Sequence, residues 1–256
     1  MGDGDEYGVS KYLFTVKNSI FDSNLAPFGG AIGTSDRGIN MTGSKVCNNA
    51  VPQDSVMSRY GTGTGIYIKQ GNSLVNGSIF ADNVNLGNGK DIYIGNGNII
   101  ANYNWWGTND NPSAFVNGEI VSKWIVMTFT NDTPLAQGNN VLLTVALDTL
   151  NDWSKLDKTL VFARPATIIT PTETFNNQYN VEYTIPEKVT VILATVDNQS
   201  IYLYSAKTDT TLDINDTTVN LGRYINLTAL IKDTIGNNIP MGSVCLLYTS
   251  PSPRDL

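Results

Sequence analysis

The sequence predicts an all-β chain, a right-handed parallel β-helix followed by immunoglobulin-like β-sandwich modules, the last one truncated. Three observations carry this expectation. Short apolar–polar alternations are broken by Gly and Asn, the first hundred residues repeat themselves imperfectly, and the second half has alternating strands between polar turns.

The repeat is read from three elements. Asn18-Ser19-Ile20-Phe21-Asp22-Ser23-Asn24 aligns with Gly43-Ser44-Lys45-Val46-Cys47-Asn48-Asn49 and with Gly77-Ser78-Ile79-Phe80-Ala81-Asp82-Asn83. Gly30-Ala31-Ile32 recurs as Gly65-Ile66-Tyr67-Ile68 and Lys90-Asp91-Ile92-Tyr93-Ile94. A weaker third element is Phe14-Thr15-Val16, Ile39-Asn40-Met41 and Leu74-Val75. Stacking such coils places Phe21, Val46 and Phe80 in one apolar column, because alternate side chains of a strand point inward. Asn24, Asn49 and Asn83 then fall where the chain turns; Asn tolerates left-handed backbone and can form amide ladders. Loops are expected at 33–40 and 50–62. Tyr67 and Tyr93 belong on an outer face as a structural ladder, with sugar stacking as the alternative.

Composition narrows the function. The chain has 256 residues, 16 Lys and Arg against 23 Asp and Glu, and a net charge of -7. Nucleic acid is not an expected partner, since phosphate neutralisation needs clustered cations. The charged fraction of 15% lies below the ~25% usual for globular domains. Hydrophobic residues at 41% still suffice for a core. No run reaches the ~18 apolar residues of a membrane span. The chain contains no His, which removes the usual general base and most zinc sites. No catalytic, cofactor-binding or metal-ligating residue is therefore assigned, and no cofactor. Carboxylates and Arg37 and Arg59 do not converge in the repeat, so a carbohydrate-active enzyme is the weakest alternative. Cys47 fills the place of Asp22 and Ala81 and reads as a tolerated residue.

Asn102-Tyr103-Asn104-Trp105-Trp106-Gly107-Thr108-Asn109-Asp110-Asn111-Pro112-Ser113 is the most distinctive segment. Adjacent tryptophans on extended chain face opposite ways. Trp105 and Trp106 are read as a cap, one covering the open end of the coils and the other packing on the next domain. A carbohydrate platform is the alternative. Asn40, Asn76, Asn131, Asn198, Asn215 and Asn226 are candidate N-glycosylation sites by their Asn-x-Ser/Thr pattern.

That tryptophan segment, followed by Trp124-Ile125-Val126, resembles the adhesin-like surface proteins of gut methanogenic archaea. The resemblance extends over nearly all of residues 12–244. It implies β-helix repeats, serial bacterial-type immunoglobulin-like domains, a cell-surface location and attachment to host or neighbouring-cell glycan or protein. It supplies no catalytic residue. A passive wall or surface-layer component is the alternative function. The expected division is a poorly ordered lead-in at 1–11, a β-helix with its Trp-Trp-Gly cap at 12–118, a sandwich at 119–206 and a truncated second module at 207–244. The tail 245–256 resembles a reading frame of a sequencing-library adapter and is expected to be an artefact. The chain reads as an extracellular fragment whose export signal and anchor are missing.

Overall fold

The computed structural model describes residues 13–52, 63–85, 90–117, 121–156, 164–186, 191–204, 211–213 and 230–232. The lead-in and the tail lie outside these residues. So does nearly all of the expected truncated module, of which only β20 (Thr211–Asp213) and β21 (Leu230–Lys232) are described, as an antiparallel pair. The all-β expectation holds: among the described residues everything regular is strand, apart from one 3₁₀ turn at Pro112–Phe115.

The first half is a stack of parallel ladders. One joins β1 (Phe14–Lys17), β4 (Ile39–Thr42), β8 (Ser73–Asn76) and β12 (Ile99–Ile100). A second joins β2 (Ile20–Asp22), β5 (Lys45–Cys47) and β9 (Ile79–Ala81). The third joins β3 (Ile32–Thr34), β7 (Gly63–Gln70) and β11 (Lys90–Asn96), while β6 (Ala50–Val51) pairs with β10 (Val84–Asn85). Register follows the sequence repeat. Phe21 sits beside Val46 and Val46 beside Phe80. Ile32, Ile66 and Ile92 are likewise neighbours, as are Val16, Met41 and Val75. Successive rungs are 25, 34 and 26 residues apart. The longer middle interval contains 53–62, which falls in the expected second loop and outside the described residues. The expected loop at 33–40 is shorter than read: β3 ends at Thr34 and β4 begins at Ile39, leaving 35–38 between them.

Inward residues are dry from the second rung onward, while Phe21 on the first is half-buried. Ile39, Met41, Val46, Ile66, Val75, Phe80 and Ile92 are fully buried. Each such side chain contributes about 1.5–3 kcal/mol relative to its exposed state.

Two corners recur on every rung, each with a residue in left-handed backbone. Asn18, Gly43, Gly77 and Tyr103 occupy the first, with φ between 47° and 62°. Ser23, Asn48 and Asp82 occupy the second, with φ of 58°, 56° and 57°. The second corner thus lies one residue before the asparagines assigned to it from sequence. The left-handed step turns Asn24, Asn49 and Asn83 into a common column. There the Asn24 amide donates to Asn49 Oδ1 at 2.9 Å, and the Asn49 amide donates to Asn83 Oδ1 at 3.1 Å. Their remaining N–H groups close onto the carbonyls of Phe21 and Val46. Asn49 is fully buried, so a polar group with no exit to water is satisfied on both sides. A second ladder runs through the first corner. The backbone N–H groups of Ser19, Ser44 and Ser78 donate to Ser44 Oγ, Ser78 Oγ and Asn104 Oδ1 in turn.

The second half is antiparallel. β13 (Ile125–Asn131), β14 (Asn140–Leu150) and β17 (Asn180–Thr184) form one sheet. β16 (Thr174–Asn176), β15 (Ala166–Ile169), β18 (Val191–Val196) and β19 (Gln199–Tyr204) form the other, in that order. Buried positions alternate strictly with exposed ones in β17 and with half-buried ones in β18. The inward residues of the two sheets, Met127, Leu143 and Val145 with Ile168, Ile192 and Ala194, share one core. The alternating runs of the second half form β14, β17, β18 and β19; β17 ends at Thr184, and 187–190 before β18 lie outside the described residues.

Candidate functional site

The most heavily constrained region is where the tryptophan segment joins the two halves. Trp105 bridges to Ile79 in parallel register, so Asn104-Trp105-Trp106 forms a fourth rung on the β2–β5–β9 ladder. In that register Trp106 follows Phe80 and faces inward, while Trp105 follows Ile79 and faces outward. Trp106 stacks on Phe80 with ring centroids 4.8 Å apart, and Phe115 stacks on Trp106 at 6.2 Å. Trp106 is therefore a layer of the column rather than its outermost lid; Phe115 lies over it. Both indoles are buried, and a sugar platform needs an open ring face. The geometry supports packing.

Trp105 belongs to the other core. The outward residues of the parallel ladder change character along the stack: Ile20 is 70% exposed, whereas Ile79 and Trp105 are fully buried. The antiparallel sheets cover the later rungs from the side, against Cys47, Ile79, Ala81 and Trp105. Small side chains at Cys47 and Ala81 let the sheets approach. Cys47 is thus an interface residue, and burial raises its thiol pKa, which leaves it a poor nucleophile.

A polar cluster fixes the contact. Trp105 Nε1 donates to Asp197 Oδ2 at 2.7 Å. Arg164 Nε donates to Asp197 Oδ1 at 2.7 Å, and its terminal nitrogen reaches both Asp197 and Asp82 Oδ2, the latter at 2.8 Å. The side chains of Arg164 and Asp197 are 12% and 2% exposed. Burial works against the Arg164 charge, but the hydrogen bond and attraction of Asp197 outweigh it and raise the guanidinium pKa. Tyr179 donates to the Arg164 carbonyl at 2.7 Å. Asp82 is presented outward by its left-handed corner, and Asp197 lies at the β18–β19 turn with φ 52°.

Asn109 finishes the joint. Its amide donates to the Met127 carbonyl at 3.0 Å and its Oδ1 accepts from the Met127 N–H, pairing the edge of β13 as a strand would. Its own N–H donates to Gln199 Oε1 at 2.7 Å, and its carbonyl accepts from Trp124 Nε1 at 3.1 Å. Gly107, at φ 74°, turns the chain and accepts from the Asn198 N–H.

The candidate glycosylation sites are dispersed. Asn40 and Asn76 are half-buried within β4 and β8, and Asn76 Oδ1 accepts from Thr42. Asn131 bonds the carbonyl of its own sequon threonine, Thr133. Asn198 is exposed in the β18–β19 turn. Asn215 and Asn226 lie outside the described residues. Sequence reasoning missed Arg164, Asp197 and Asp82, whose meeting spans 82 and 33 positions of chain.

One titrating group stands apart from the joint. Burial pushes the Asp91 carboxyl up to about 6, against the opposing hydrogen bonds of Thr64 and Asn83. Its folded pKa exceeds its unfolded one, so the folded state binds the extra proton. Its contribution is therefore complete below the unfolded value and fades as pH rises through about 6. Urea midpoints should fall between pH 4 and 7, by no more than about 3 kcal/mol in stability. Asp91→Asn should flatten that slope; an unchanged slope would assign it elsewhere. No family model, curated protein or solved structure matches this chain.

Proposed function

We propose that this chain is a non-catalytic, adhesin-like surface protein, in which a β-helix presents the binding face and an immunoglobulin-like module supports it. The parallel ladders and repeating corners support a β-helix reading of the first half. Two antiparallel sheets around one core support a sandwich module in the second. The observation that carries the binding role is an aromatic strip on the outside of the β3–β7–β11 ladder. Tyr67 and Tyr93 stack 5.7 Å apart and 5° from parallel, and Phe28 lies 5.0 Å from Tyr67. All three are half-buried, with rings held in register by the backbone beneath. Pre-ordered rings lose little conformational freedom on contact, which favours adhesion through a rigid face.

The test is attachment of beads carrying the purified chain to mucin-coated surfaces and to microbial cells. Adhesion above that of blank beads is expected, with a clear loss in the Tyr67→Ala, Tyr93→Ala double variant. Beads that adhere no better than blanks would favour a passive wall component.

A further inference from the structure

The joint also creates a groove that no described residue fills. It lies between strands β13 and β19, has a volume of about 550 Å³, and is lined by aromatic and apolar side chains interspersed with polar ones, Asp110 of the tryptophan segment among them. That volume is within the ~300–1,000 Å³ of small-ligand clefts. We infer that this groove binds a short neutral saccharide, with Trp153 and Tyr202 as the stacking residues. The inference deepens the adhesive reading and rests on it, while moving one ligand from the parallel ladders to the joint.

Trp153 is the main observation. It is 75% exposed, and its φ of 66° is left-handed backbone, where a bulky aromatic is a genuine outlier. The conformation is enforced from both sides. Trp153 N–H donates to the Leu150 carbonyl at 2.8 Å, and the neighbouring Asp152 pairs with Lys123 and accepts from Ser154. Trp153 thus holds a large ring in water on left-handed backbone, further exposed than Tyr103 in the same conformation, and such backbone gathers at binding sites. Across the groove Tyr202, 41% exposed, stacks with Tyr204 at 6.3 Å.

The chemistry of the lining selects the ligand. A pyranose ring offers an apolar C–H face to an aromatic ring and hydroxyls around its edge. The lining offers partners for both, with Trp153, Tyr202 and Tyr204 beside Asn109, Thr128 and Gln199. Among the described lining residues Asp110 is the one that carries a charge, so a uronate, sialylated or phosphorylated ligand would face a carboxylate. An added peptide strand is disfavoured, because the Asn109 side chain already brackets the Met127 peptide at the start of β13.

The experiment is acrylamide quenching of tryptophan fluorescence in the full chain. Trp105 and Trp106 are buried and Trp124 is half-buried, so Trp153 dominates the quenchable signal. The probes are neutral tetrasaccharides of glucose, galactose and mannose, with polygalacturonate as the acidic control and sedimentation to follow self-association. Saturable protection by at least one neutral probe is expected. Tyr202→Ala should weaken it at least about tenfold, and Trp153→Ala, followed by calorimetry, should do the same. Four results would overturn the groove assignment: no protection by any neutral probe, protection by polygalacturonate alone, protection through dimerisation without sugar, or affinity unchanged in both variants. Bead adhesion measured beside it keeps the two readings apart. Wild-type and Trp153→Ala beads that adhere equally, with no sugar protection, sink the groove and leave the adhesive reading standing. Wild-type beads that do not adhere sink the adhesive reading itself.

Discussion

Trp105→Ala is expected to lower stability by about 3–5 kcal/mol, the usual loss when a buried tryptophan leaves a cavity. The residue is fully buried between the parallel ladder and the antiparallel sheets, so the cavity opens where both cores meet. Its indole also supplies a donor to Asp197, and that carboxylate would lose a partner. Trp105→Phe separates the two effects. It keeps most of the ring but removes the donor, for an expected loss of about 1–3 kcal/mol. Trp106→Phe should be milder, because Trp106 Nε1 is buried without a hydrogen-bond partner among the described residues. Removing an unpaired N–H offsets part of the lost ring area. Urea denaturation followed by circular dichroism should rank the variants Trp105→Ala, Trp105→Phe, Trp106→Phe, from most to least damaging. Equal losses for the two phenylalanine variants would remove the hydrogen bond from the account.

Arg164→Met should be nearly as damaging, by about 3–5 kcal/mol, because it leaves the Asp197 carboxylate buried without its cation. The Asp82 arm is worth less. That carboxylate is 39% exposed, and pairs in such settings contribute about 0–1 kcal/mol. Arg164→Lys should recover little, since one ammonium cannot reproduce the fork that addresses two carboxylates and keeps Nε on Asp197. The check is a double-variant cycle. Arg164→Met combined with Asp197→Leu should be less unstable than the sum of the single changes, since the orphaned charge has gone. Strict additivity would mean that the pair is not coupled.

The parallel ladders were legible because stacking demands like residues at like places. An apolar column such as Phe21, Val46 and Phe80 leaves a repeat even when the intervening chain changes length. Two misreadings have local causes. The loop between β3 and β4 reads as 33–40 instead of 35–38 because these strands are only three and four residues long and flank polar Ser35-Asp36-Arg37. The corner was placed one residue late because Asn is the obvious left-handed residue. Ser23 and Asp82 show that the fold sets that backbone angle whatever residue stands there. The joint was half legible. Opposite-facing tryptophans on extended chain follow from strand geometry, and they end in the two separate cores. Arg164 and Asp197 carry no such mark. A lone charge in a loop resembles solvated surface, and only the folded chain brings three such residues together. The groove was missed for a similar reason, since Trp153 sits in a polar turn and reads as an isolated exposed aromatic.

The sideways contact between the sheets and the ladder has a mechanical consequence. Had the two halves met only at the last rung, a pull transmitted through the antiparallel sheets would peel that rung away and strip the ladders from their end. Instead Cys47, Ala81 and Trp105 lie on three successive rungs under one apolar contact, and Arg164 ties Asp82 to Asp197 across it. Tension is shared among several layers, so the assembly resists shear as one block until the whole contact fails.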